Sequence, residues 1–233
     1  MGVGTENAAG CRRIGRCRGR VFYVEGGGMK KRPNHSRLPL YCFVVFVFGF
    51  AAIPAEAHLN STGMGPIYDG LMHFLMSPED FAPVLALALL AGLRGASYGR
   101  RALFVLPSAW LLGGLIGLAA TSASAHPVVS AFWFLLLGGL LAADAKLSLR
   151  VTTALAALLG LYHGYLNGTG LGLSGASAAV LLGLIFAVFV LVALAAALVV
   201  QLHASWARIA VRVAGSWIAA SGLLMLGWAV RKG

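Results

Sequence analysis

Residues 176–202 read ASAAVLLGLIFAVFVLVALAAALVVQL, with Ser177 the one polar side chain before Gln201. A helix of ~20 apolar residues crosses the hydrocarbon of a bilayer, so this stretch predicts a membrane-spanning helix. Its uniform apolarity predicts one that faces lipid. Five further apolar runs surround it, at 78–93, 102–120, 128–143, 151–166 and 209–230. Several are shorter than ~20 residues, so their ends must borrow flanking residues or thin the bilayer locally. The expected fold is all-α: a polytopic membrane bundle of about six transmembrane helices over residues 78–233.

The composition agrees. Of 233 residues, 59% are hydrophobic and 11% charged, with a mean hydropathy of +0.85, whereas a soluble domain carries roughly 25% charged residues. The net charge of +11 does not point to nucleic acid. Nine of the 18 Lys/Arg precede residue 58, the rest sit in short connectors or at the C-terminus, and no basic stripe interleaves with aromatics. The stretches carrying Arg94/Arg100/Arg101, Lys146/Arg150 and Arg208/Arg212 alternate with residues 121–127 and 167–175, which carry no Lys or Arg. By the positive-inside rule the basic set lies in the cytoplasm and the other two loops outside. Arg231 and Lys232 then fall outside, against the trend.

Residues 29–57 have the form of a cleavable signal peptide. Lys30, Lys31, Arg32 and Arg37 form a basic start, LYCFVVFVFGFAAI at 40–53 an apolar centre, and Pro54-Ala55-Glu56-Ala57 a cleavage site that leaves His58 first. An uncleaved seventh helix is the alternative. Such a signal places the chain in a bacterial-type inner membrane with its mature N-terminus outside. Residues 1–28 are Gly- and Arg-rich, and Glu25-Gly26-Gly27-Gly28 before Met29 resembles a ribosome-binding site read through as codons. The expectation is that translation starts at Met29. Cys11, Cys17 and Cys42 all precede residue 58, so mature metal chemistry would use nitrogen and oxygen donors, which suit borderline ions.

Ser77-Pro78-Glu79-Asp80 marks a helix start: Ser77 as N-cap, Pro78 at the first position, Asp80 completing a capping-box-like pattern. The preceding PIYDGLMHFLM at 66–76 is then a separate short helix on the outer face, within an external segment at 58–77. Gly113 with Gly117, and Gly160, Gly164 and Gly168, put small residues at i, i+4, where helix backbones approach closely. Trp206 and Trp228 suit interfacial anchors.

Polar side chains at membrane depth are the functional candidates. Asp69 and His73, at i, i+4, share a helix face where carboxylate and imidazole can hold a divalent cation or simply each other. Asp80 extends that face only if the helix runs unbroken through Pro78. His163 and Asn167 are also at i, i+4, inside the glycine ladder, as metal contacts or as an interhelical hydrogen bond. Glu79 and Asp80 suit a helix N-terminus electrostatically as well as ligation. His58 at a new terminus would offer its α-amine and imidazole to a cation, or simply be a disordered end; His126 and His203 carry no clear chemistry, and Asp144 beside Lys146 suits a partly solvated interfacial charge. There is no P-loop, G-x-S-x-G, H-E-x-x-H or dinucleotide fingerprint, so no enzyme is expected.

GMGPIYDGLMHFL at 63–75 resembles the opening motif G-x-x-H-I-x-x-G-x-D-H-L-L of the HupE/UreJ family of hydrogenase and urease accessory membrane proteins. Gly63, Ile67, Gly70, His73 and Leu75 are in register, and Leu161-Tyr162-His163-Gly164 looks like that family's fourth-helix L-F-H-G. The motif's first His is Pro66 here and its Asp is Met72; Asp69, one turn before His73, offers a replacement carboxylate. The resemblance implies a nickel or cobalt permease, or a protein supplying metal for metalloenzyme maturation. Ni(2+) or Co(2+) would be cargo, Asp69, His73, His163 and Asp80 the ligands, and Asn167, Glu79 and the three glycines the support. Implied partners are the bilayer, a divalent metal ion and maturation proteins. The alternative is a non-transporting accessory protein whose histidines are structural.

Overall fold

The computed structural model describes residues 62–120, 122, 126–202 and 204–232. The stretch 1–28, the signal peptide at 29–57, His58, the three cysteines and His203 lie outside the described residues. Among those described, every regular element is an α-helix: α1 (Pro66–Met76), α2 (Pro78–Arg94), α3 (Ala96–Leu118), α4 (Pro127–Ala142), α5 (Leu149–Ser174), α6 (Ala179–Val200) and α7 (Ser205–Lys232).

The expected break at Ser77 is present. Ser77 is extended (φ −97, ψ 93), Pro78 opens α2, and α1 meets α2 at 75°. The capping box is not: the Ser77 side chain makes no cap hydrogen bond, and Asp80 is buried in the bundle. From Val84 to Gly92 every residue of α2 is buried, and α2 touches each of the other six helices. It is the central mast.

On one side of α2, α3 and α5 run parallel through a glycine seam. A Cβ on Gly160 would stand 2.6 Å from the Leu106 carbonyl oxygen, and Cβ atoms on Gly164 and Gly168 would collide with the carbonyls of Trp110 and Gly114. Gly113 and Gly117 meet the α5 backbone at Leu161 and Tyr165 in the same way. Such close approach supplies the dispersion contacts that hold helices together where the surrounding lipid is equally apolar.

This seam corrects one expectation. Residues 167–175 were expected to form a loop, yet α5 continues through them to Ser174. Gly168 and Gly172 pack on α3, so tertiary contact outweighs the low helix propensity of the segment. The helix ends where Gly175 turns left-handed (φ 67), with Ala176 N–H donating to Leu171 O at 3.1 Å, a Schellman termination.

Helix α6 corrects another. Read as lipid-facing, it buries Val180, Leu184, Val188, Val192 and Val199 against α1, α2 and α3, while Leu182, Phe186 and Leu194 remain outward. On the far side of α2, α4 and α7 pair antiparallel, with Gly138 against Ala219 and Gly222 against Phe134. Only 17% of the apolar window of α7 is buried, against 44% in α6.

Six helices follow α1. Of these, α3, α6 and α7 are individually long and apolar enough to cross a bilayer, and the bent pair α1–α2 reaches that standard jointly. Helix α4, at 16 residues, is shorter. Helix α5 is 26 residues long, but it carries glycine and polar groups on the face it buries.

Candidate functional site

The two ends of the bundle differ in charge. Arg94 closes α2, Asp144 follows α4 and Arg208 opens α7, and the three meet: Asp144 pairs with Arg94 through Oδ1 and with Arg208 through Oδ2 at 3.0 Å. Asp144 holds a positive φ of 49, unusual for a residue other than glycine. Arg212 Nε donates to the Ala142 carbonyl at 2.9 Å. Asp144 thus ties three elements while staying partly solvated, as expected, with its partners two arginines distant in sequence. The other three acidic residues of the described chain, Asp69, Glu79 and Asp80, belong to α1 and the start of α2, toward the opposite end.

At that end Asp80 turns inward. His163 Nδ1 lies 2.7 Å from Asp80 Oδ1, and Asn167 Nδ2 donates to Asp80 Oδ2 at 3.0 Å. Asn167 also donates to the His163 carbonyl at 2.9 Å, which fixes its amide. One turn of α5 thus grips both carboxylate oxygens, an i, i+4 fork made possible by the glycine seam that brings α5 into the bundle. His163 is 2% exposed and Asp80 7%. An ionised carboxylate has no hydrogen to give, so Nδ1 carries it. His163 Nε2, the other ring nitrogen, is buried with no hydrogen-bond partner among the described residues.

Aromatic rings frame the imidazole. Trp110 of α3 stacks on it (centroids 5.7 Å, 28°), and the Tyr162 ring stands edge-on at 5.3 Å. Phe74 of α1 packs edge-to-face on Trp110 at 6.0 Å, which ties the short helix to the site. Trp110 Nε1 is a second buried donor with no partner among the described residues. Sequence reasoning missed Trp110. The available signal was its place three residues before Gly113, on the glycine-bearing face of α3.

The remaining candidates lie apart from this pair. The carboxylate of Asp69 accepts from the backbone N–H and, at 2.7 Å, the hydroxyl of Thr62. These bonds hold it below the usual carboxylate range and pin the chain before α1. His73 is half-buried on α1 beside Phe74, and Glu79 is exposed. Among the described residues, no three His, Cys, Asp or Glu side chains group as a metal-holding set. The structure brings together Asp80, His163 and Asn167.

An apolar helical bundle, long spanning helices and a carboxylate–imidazole pair sealed inside define a polytopic α-helical membrane protein. The family profile described as HupE / UreJ protein matches residues 45–225, and the chain belongs to that family. It is similar to Protein HupE of Rhizobium leguminosarum bv. viciae, 23% identical over 190 residues, covering 80% of this chain and 98% of that protein. No solved structure matches the chain.

Proposed function

We propose that this protein is an inner-membrane permease for a divalent transition metal, nickel or cobalt, which feeds metalloenzyme maturation on the cytoplasmic side. The single observation that carries the reading is His163: its Nδ1 is held by a carboxylate while its Nε2 is buried with no partner among the described residues. Metal-binding histidines commonly have the other ring nitrogen tied to a carboxylate, which fixes the tautomer and raises ligand basicity. A buried polar nitrogen left without a partner also costs free energy, and in the neutral ring a passing cation would relieve it.

A site of one imidazole with one carboxylate behind it binds weakly unless water completes the shell, which suits cargo that must leave again. Asp80 supplies the negative charge that offsets a cation at this depth, and Asn167 keeps its second oxygen in place. Asp69 is engaged by Thr62, so His163 and Asp80 are the core of the proposed route, with His73 on α1 nearer the surface. The clustering of Arg and Lys at the Asp144 end supports that end as cytoplasmic and the mature N-terminus as external.

The test is Ni(2+) or Co(2+) uptake into vesicles carrying purified protein. Uptake should saturate and fall at least tenfold in His163→Ala and in Asp80→Asn. Uptake indifferent to both substitutions removes the site, and no uptake of either ion removes the permease.

The fork between α5 and Asp80 favours a second reading, a non-transporting accessory whose buried pair ties α2 to α5. Thermal melting separates the two. Metal that binds the native state raises its melting temperature by mass action, so under the permease reading Ni(2+) stabilises wild type and not His163→Ala. Under the accessory reading the variant is destabilised equally with and without metal.

A further inference from the structure

The buried pair needs a way in from water, and one residue at its rim has the chemistry. Glu79 precedes Asp80 in the first turn of α2. Successive side chains on a helix diverge by about 100°, so as Asp80 enters the bundle, Glu79 emerges at its surface, where it is exposed. Asp80, its neighbour in sequence, is the residue that His163 and Asn167 hold, so Glu79 stands one residue from the buried pair. Pro83 lies four residues further on, inside α2. Proline has no N–H, so the Glu79 carbonyl oxygen is denied its helical donor. Glu79 therefore sets an exposed carboxylate, and a carbonyl oxygen without its i+4 donor, one residue from Asp80, whose partner His163 is 2% exposed with its Nε2 unpartnered among the described residues.

We infer that Glu79 is the port of the pathway: it captures a hydrated divalent cation from solution and hands it inward to Asp80 and His163. The inference rests on the metal reading above and adds the first step to it. Oxygen donors suit the capture of a hydrated ion, since they exchange readily with its water, whereas the imidazole suits selection of a borderline transition metal. Concentrating Asp69, Glu79 and Asp80 at this end, with seven Lys/Arg from Arg94 to Arg212 near the other, gives a field that draws cations to the Glu79 side.

The experiment compares wild type, Glu79→Gln, Glu79→Asp and Asp80→Asn in vesicles, reading Ni(2+) uptake against Ni(2+) concentration, together with Ni(2+) binding to the solubilised proteins. Loss of one charge beside the route should raise the half-saturating concentration in Glu79→Gln roughly three- to tenfold, with a much smaller change in maximal rate than in Asp80→Asn. Glu79→Asp should recover most of the loss. The gap between wild type and Glu79→Gln should narrow at high ionic strength, where the Debye length shrinks to about 3 Å in 1 M salt. An unchanged half-saturation in Glu79→Gln beside a transporting wild type overturns the port alone. A maximal rate lost as completely as in Asp80→Asn also overturns it, because Glu79 would then belong to the inner site. Wild type that binds Ni(2+) without moving it overturns the permease, and the port is then judged by the rate of Ni(2+) association, which should be slower in Glu79→Gln. Wild type that neither moves nor binds the ion overturns both readings.

Discussion

The side chain of His163 has two different nitrogens, and the difference is testable. Nδ1 is committed to Asp80, so truncating the ring leaves a carboxylate 7% exposed with Asn167 as its one remaining polar partner in the fork. Breaking a buried pair in this way costs about 3–5 kcal/mol in proteins generally. We expect His163→Ala to melt well below wild type, measured by intrinsic fluorescence in detergent. Asp69 behaves differently because it is only part-buried and is held by Thr62. Its carboxyl is depressed when folded, so its contribution is complete above the ordinary carboxylate pKa of about 4 and disappears as pH falls through the lower folded value. Asp69→Asn should therefore melt slightly earlier than wild type at pH 7, with the two converging as pH falls below the usual carboxylate range. A gap that widens on acidification would contradict the Thr62 contact.

Between helices the decisive residues are the glycines of α5. Gly164 and Gly170 lie on the same helix, yet a Cβ at Gly164 would run into the Trp110 backbone, while one at Gly170 meets nothing within 4 Å. Gly164→Ala should lower stability by about 1–3 kcal/mol, the usual cost of overpacking. It should also displace Trp110 from His163, seen as a change in tryptophan emission. Gly170→Ala should be neutral or stabilising by roughly 0.5–1 kcal/mol, since alanine is the better helix former. Equal effects at the two positions would dissolve the seam. The ladder of Gly160, Gly164 and Gly168 was legible from spacing alone. Its continuation to Gly172 was not, because the glycines that mark a loop in isolation are the residues that let two backbones touch.

At the scale of the whole molecule, α2 is tied at both ends: Asp80 to α5 near one face, Arg94 to Asp144 and through it to Arg208 of α7 near the other. Asp144→Ala would leave Arg94, whose side chain is 10% exposed, without its carboxylate. We expect a lower melting temperature and faster proteolysis of the connector between α4 and α5. The alternating direction of α2 to α7 makes sidedness testable. If the Arg94–Asp144–Arg208 end is cytoplasmic, as proposed, the C-terminus is outside despite Arg231 and Lys232. A C-terminal alkaline phosphatase fusion should be active, and a fusion after Lys146 inactive.

The amino-acid order was enough to establish an all-helical membrane bundle, the break between α1 and α2 and the shared face of His163 and Asn167, because apolar run length, a Ser-Pro start and i, i+4 spacing are local properties of a chain. It could not say which acid His163 would meet. Asp80 was expected near the helix start on electrostatic grounds, and Asp144 beside its neighbour in sequence, but each is joined to a residue more than sixty positions away. Nor could it say which face of α6 turns inward, since an evenly apolar helix carries no pattern to read. Those choices belong to packing: the buried partner of a charge is whichever group the folded helices bring within about 3 Å, and sequence separation places no bound on it.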